Sequence, residues 1–166
     1  VHPEIQRARD TLFEAIRDVT PERADQAHDG KWSVAGILEH LHLSYARSAP
    51  ALERKCAKGL DTPVRARTLK QHFRQFVVVT MGYLPSGREA PRQTVPTGRP
   101  YRELLADLDR VFSDLDASLT TAGKTLGESQ PVLDHPLLGP FSVTQWRKFH
   151  LVHTRHHAKQ IRTRTR

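Results

Sequence analysis

The last stretch of the chain, FHLVHTRHHAKQIRTRTR, carries His150, His153, His156 and His157, four of the ten histidines among 166 residues. Imidazoles this crowded suit two kinds of chemistry. On a solvated basic helix they touch acidic partners; turned inward they share a metal ion. Helical rotation of about 100° per residue separates the two readings. His150, His153 and His157 fall within a sector of about 60°, beside Trp146, Gln160 and Ile161, while Lys148, Arg155, Lys159 and Arg162 gather on roughly the opposite side. The stripe with Trp146 and Ile161 therefore faces the interior and the cations face water. His156 is the exception, about 100° behind His157. Burial strands the donor and the acceptor of an imidazole unless each finds a partner, and a metal is one such partner.

His153 and His157, four positions apart, project from adjacent turns and can converge on one cation, as helical His-x-x-x-His pairs do on zinc. A third ligand has to come from another element. In ILEHLHL, His40 shares a face with Ser33, Gly36, Ile37 and Ser44, whereas His42 points to a different side, so His40 is the candidate. Three imidazoles on a divalent ion leave at least one position open, the mark of a catalytic rather than a closed structural site. Zinc is the default, and imidazole suits nickel and iron as well. A bound water would have its pKa pulled toward 7, and a bound thiol would be held as thiolate. No residue is assigned as catalytic beyond these; His150 and Gln160 are the possible helpers. His150 reads as packing, proton shuttle or support for the ligands, and Gln160 as a partner for a ligand imidazole or an ordinary boundary residue. Glu39 reads as a solvated helix residue, and Asp134 with His135 as a rigid turn or a closure over the site.

The elements that must position these residues read as helices. Ile5, Ala8, Leu12, Ile16 and Val19 repeat at helical spacing over residues 2 to 19, before a loop with Pro21, Asp29 and Gly30. A second helix opens at WSVAGILEHLHLSYARS with Ser33 as its cap, and Pro50 is expected to kink it or to begin a separate turn. Thr62 and Pro63 look like the start of a third segment with Leu69, Phe73 and Phe76 on one face; its FVVVT end is strand-like in composition. The segment from about 85 to 100 is a long Pro/Gly loop, of a kind that is often functional. Leu104, Leu105, Leu108, Val111, Phe112, Leu115 and Leu119 give the clearest helix, residues 100 to 122, and Ser142 with Gln145 forms a capping box before the last one. Trp32 and Trp146 read as core anchors at helix starts. Four or five helices joined by loops, with no strand alternation, point to an all-α bundle in a single domain spanning residues 1–166.

Composition sets the outer limits. The net charge of +8 admits nucleic acid or acidic small molecules as partners, but the cations are scattered and only RTRTR looks like a tail, expected to be solvated and disordered. No recognisable nucleic-acid motif accompanies the charge. The single cysteine, Cys56, rules out an internal disulfide and a Cys-rich zinc site, and suits a reducing cytoplasm. The longest apolar run, FVVVTMGYL, is too short to span a bilayer.

KWSVAGILEHL together with DHPLLGPFSVTQWRKFHLVHTRHHAKQI resembles the DinB-like (DinB/YfiT) metal-binding four-helix-bundle superfamily, over about a third of the chain. The resemblance implies an antiparallel four-helix bundle with a three-histidine metal site at His40, His153 and His157, the residues that the helical geometry also selects. It implies a thiol-dependent transferase using a low-molecular-weight thiol and an electrophile, or a metal-dependent hydrolase, in a chain that often forms a homodimer. The alternatives are a non-catalytic metal-binding or oligomerising bundle and, less favoured, a basic nucleic-acid-binding protein.

Overall fold

The first apolar repeat forms α1 (Pro3–Ile16). The His2 imidazole caps it by accepting from the Glu4 amide, and Pro3 sits in the first turn, where a missing N–H is harmless. Ile5, Ala8, Leu12 and Ile16 are buried, while Val19 lies past the helix end. A single turn, α2 (Pro21–Ala24), follows under a Thr20 cap. The structure, a computed structural model, describes residues 1–27, 30–60, 66–85, 87 and 89–165; Asp29 and the Thr62–Pro63 helix start lie outside them.

The second long helix, α3 (Val34–Lys58), starts where Ser33 Oγ accepts from the Gly36 amide at 3.0 Å. It runs through Pro50 instead of ending there. Proline deprives the carbonyl four residues back, that of Ala46, of its partner; Ala46 and Pro50 are both exposed, so water can take that place. The next helical piece, α4 (Leu69–Gln75), has a Thr68–Gln71 capping box and continues as a π-helical turn, Phe76–Thr80, where a strand-like end was expected. Its expected apolar face is also reversed. Leu69, Phe73 and Phe76 are 89%, 69% and 54% exposed, and Gln75, Val78 and Val79 turn inward. The wider π turn shifts the helical phase, and polar bonds do the fastening: Gln75 Nε2 donates to the carbonyls of Leu138 at 2.8 Å and Pro140 at 2.9 Å.

The Leu-rich repeat forms α5 (Tyr101–Leu126), buried along Leu104, Leu108, Val111, Phe112, Leu115 and Leu119, with Leu105 left exposed. A short antiparallel hairpin follows, β1 (Pro131–His135) and β2 (Gly139–Ser142), with Leu133 opposite Phe141. The sequence reading has only a loop here, because strands of five and four residues interrupted by proline are too short to display a two-residue period. The turn is rigid: His135 Nδ1 accepts from the amides of Leu137 and Leu138, both at 3.2 Å. Gly139 has φ +79, a conformation that favours glycine, and a Cβ there would also push aside the end of the Gln71 side chain. The last helix, α6 (Val143–Arg164), begins with the expected Ser142–Gln145 capping box and extends well into RTRTR, which is therefore helical for most of its length rather than a disordered tail.

Contacts between the long helices fix their directions. Arg9 and the His2 amide of the α1 end bond Asp109 and Asp116 of α5 respectively, so α1 and α5 run oppositely. His42 and Glu53 of α3 meet Asp107 and Ser118, so α3 and α5 run the same way. His40 faces His153 and His157, and the Tyr45 ring faces His150, so α6 opposes α3. The protein is mostly helical, with directions up, down, down, up through α1, α3, α5 and α6. The connection between the two parallel helices must therefore travel back the length of α3, roughly 37 Å for its 25 residues. Among the described residues no helix is long and apolar enough to cross a membrane.

Glu39 fastens the end of this crossover. It is 1% exposed, contrary to its reading as a solvated residue. Its carboxylate accepts from Thr97 Oγ1 at 2.6 Å and from the amides of Gly98 and Arg99 at 2.9 and 3.1 Å. Burial pushes its pKa up, but these donors outweigh burial and hold it below the ordinary carboxylate value. Glu39→Ala should cost about 2 kcal/mol or more by urea unfolding, since three donors lose a charged acceptor. It should also speed amide exchange at residues 97–99. Unchanged exchange there would show that the crossover is anchored elsewhere.

Candidate metal centre

Opposed directions of α3 and α6 bring His40 against His153 and His157. The His153 Nε2 atom lies 3.1 Å from His40 Nε2 and 3.0 Å from His157 Nε2, and the three ligating atoms all fall within 4.8 Å. All three side chains are buried. Among the described residues no other group of His, Cys, Asp or Glu is so placed. The rings are held from outside as well: Trp32 packs against His40 at 5.2 Å, and Phe149 stacks on His153 at 5.3 Å with an interplanar angle of 16°.

The outer nitrogens determine what the inner ones offer. His40 Nδ1 lies 2.7 Å from the Thr94 carbonyl, which can only accept, so Nδ1 carries the hydrogen. His157 Nδ1 likewise donates to Gln160 Oε1 at 2.9 Å, and Gln160 Nε2 donates to His156 Nε2 at 3.1 Å. In neutral rings this leaves a lone pair on both His40 Nε2 and His157 Nε2, aimed at His153. His153 has at most one hydrogen to give there, and its own Nδ1 is buried without a hydrogen-bond partner. The centre is short of positive charge. Protons are a poor remedy: burial, then the neighbouring imidazoles, holds His153 well below the ordinary histidine value, burial brings His157 to about 3, and burial also lowers His40.

The three rings could hold a divalent ion, and the two separations measured from His153 suit one. With metal–nitrogen bonds of about 2.0–2.1 Å, two ligating imidazole nitrogens stand roughly 2.9–3.4 Å apart for octahedral to tetrahedral angles. The observed separations of 3.0 and 3.1 Å lie inside that window. The outer hydrogen bonds from Nδ1 are those that hold a ligand ring in place and raise its basicity.

The other singled-out residues sort around this triad. Gln160 bonds the His157 imidazole rather than standing as an ordinary boundary residue, and His156, the histidine off the stripe, in turn bonds Gln160. His150 is 1% exposed, stacked 5.6 Å from Trp146, with neither ring nitrogen hydrogen-bonded: it packs beside the triad and is not a fourth member. His42 is buried on another side of α3, 3.7 Å from Asp107. His135 fastens the tight turn that was one of the two expectations, Asp134 pairs with Pro140 in the hairpin, and both line the cleft onto which the triad opens. That cleft has a volume of about 1040 Å³, and the long loop contributes to it through the 3-10 turn Arg92–Thr94. Thr94 was not legible as a site residue, because a backbone carbonyl leaves no mark on residue type.

Residues 7–164 match the family model described as protein of unknown function (DUF1569), and the chain belongs to that family. This corrects the resemblance to the DinB-like superfamily, which is a different family. That resemblance rested on two helices, and a His-bearing helix packed against a His-x-x-x-His helix gives the same local pattern wherever the pair converges. No curated protein and no solved structure matches the chain.

Burial holds His150 at about 3 and His135 at about 4, below the value near 6.5 of an unfolded chain. Between these values the unfolded state binds more protons, so stability is present above pH 6.5 and is lost as pH falls toward 3. Urea unfolding of metal-free protein between pH 7.5 and 4.5 should show this decline. In His150→Phe the slope should be smaller by about 1.4 kcal/mol per pH unit, the worth of one proton. A profile equally steep in the variant would contradict a neutral buried His150.

Proposed function

We propose that this protein is a metal-dependent hydrolase of a small electrophilic substrate, with one divalent transition metal held by His40, His153 and His157. The observation that carries the reading is the convergence of three buried Nε2 atoms, two of them fixed as lone-pair donors by Thr94 and Gln160. Zinc is the metal proposed, with nickel and iron as outcomes of the analysis below. An ion held by three imidazoles lowers the pKa of water toward 7 and polarises a carbonyl or phosphoryl oxygen.

The chain's own residues orient and exclude. Thr94 and Gln160 keep two ligand tautomers, Trp32 and Phe149 restrict ring rotation, and the cleft gives a substrate access to the exposed side of the triad. We read the four long helices as one bundle, with the site between α3 and α6. Thiol transfer entered with the resemblance that the family match corrects. Nothing in the described cleft lining favours a thiol over water, so water is the nucleophile proposed.

Protein purified without a metal-affinity tag should contain about one divalent transition metal per chain by elemental analysis. His153→Ala should lose it while keeping its helical circular dichroism. Stoichiometric metal in the His40→Ala, His153→Ala, His157→Ala triple variant would end the reading. Metal-loaded protein should also hydrolyse at least one class in a panel of carboxylic esters, amides and phosphate esters, with turnover lost to a chelator and restored by metal. A panel without metal-dependent turnover would leave a metal-binding protein and remove the hydrolase.

A further inference from the structure

The cleft over the triad is strongly one-sided in charge. Among the described residues, Lys31, Arg47, Arg54, Arg74, Arg92 and Arg164 line it, against the carboxylates of Glu89 and Asp134. A chain with 26 cations and 18 anions would give a ratio near three to two by chance; here it is three to one. Elsewhere on the surface the cations are commonly paired, as Arg9 is with Asp109 and Arg99 and Arg110 are with Asp107. Lys31, Arg54 and Arg92 have no such partner among the described residues.

Placement adds direction to the charge. His40, Ser44, Arg47, Ser48, Ala51 and Arg54 form one stripe of α3 along the cleft. Steps of seven residues rotate a helical position by only about 20° and advance it about 10 Å, so Arg47 and Arg54 stand in line with His40 at roughly 10 and 21 Å along the axis. Small residues between them leave room beside the guanidinium groups. Arg47 is already aimed: its Nη2 donates to Gln93 Oε1 at 2.9 Å. Gln93 lies in the turn that also supplies Arg92 and the Thr94 carbonyl that orients His40. Trp32, Phe73, Val77 and Leu84 add apolar wall to the same cleft.

We infer that the cleft takes an anionic substrate with an apolar body, a carboxylate or a phosphate ester, its charged end held by Arg47 and Arg54 and its reacting bond turned to the histidine triad. The inference rests on the metal-site reading for where the reaction occurs, but not for how the anion is held. Guanidinium groups suit both anions, since each offers paired oxygens to a planar donor fork.

Calorimetric titration of the full chain, metal-free and zinc-loaded, with hexanoate, hexyl phosphate and hexanol separates the contributions. At least one of the two anions should bind tenfold or more tighter than hexanol without zinc, and which one does so distinguishes carboxylate from phosphate. Added salt should weaken that binding. Arg47→Gln/Arg54→Gln should lose the preference about tenfold while keeping the zinc content and the hexanol affinity of the parent. Equal binding of anions and hexanol overturns the proposal, as does an undiminished preference in the double variant or an anion preference confined to zinc-loaded protein. An arginine-dependent preference in a chain that takes up no zinc supports the anion site and removes the metal centre, so the two readings fail separately.

Discussion

Three imidazole nitrogens meet at a buried corner of the cleft with too few hydrogens among them. Two of the rings have their protons committed outward, to a backbone carbonyl and to a glutamine amide, so their inner nitrogens present electron pairs to the third ring. Burial disfavours protonation, which would otherwise supply the missing charge. With at most one hydrogen on His153 Nε2, at least one of the contacts at 3.0 and 3.1 Å sets lone pair against lone pair, which is costly without a cation between them. A divalent ion held by the three rings would remove that cost, on the side of the triad that opens to the large cleft.

The rest of the architecture serves this convergence. Parallel α3 and α5 force the chain to cross back over the molecule, and the crossover lays Thr94 on His40 while Glu39 pins its far end. Adjacent positions on α3 thus divide the work, with Glu39 holding the backbone of the loop and His40 being held by it. On α6 the chain His156–Gln160–His157 supports the ring from the opposite side. The hairpin before α6 fastens α4 through Gln75 and places Asp134 and His135 at the cleft wall.

What was legible in the sequence follows from which forces are local. Helical periodicity and caps are, so α1, α5, α6 and the Ser33 start of α3 stand close to their expected places, and the same period put His40, His153 and His157 on inward faces. Partners distant in sequence are not. Glu39 reads as an exposed acid because the amides that satisfy it lie about sixty residues away, and Thr94 acts through an atom that every residue possesses. The face of α4 was inverted because a π turn and a glutamine, rather than Leu69 and Phe73, decide how that segment docks. The family is likewise not legible in two motif helices covering about a third of the chain, whereas residues 7–164 together identify it.

The central claim is that His40, His153 and His157 form one coordination sphere. X-ray absorption at the metal edge of stoichiometrically loaded protein tests it directly. The account predicts about three imidazole nitrogens at about 2.0–2.1 Å, with the remaining ligands light atoms from water. A shell lacking imidazole scattering, or one unchanged in His40→Ala and in His157→Ala, would contradict it.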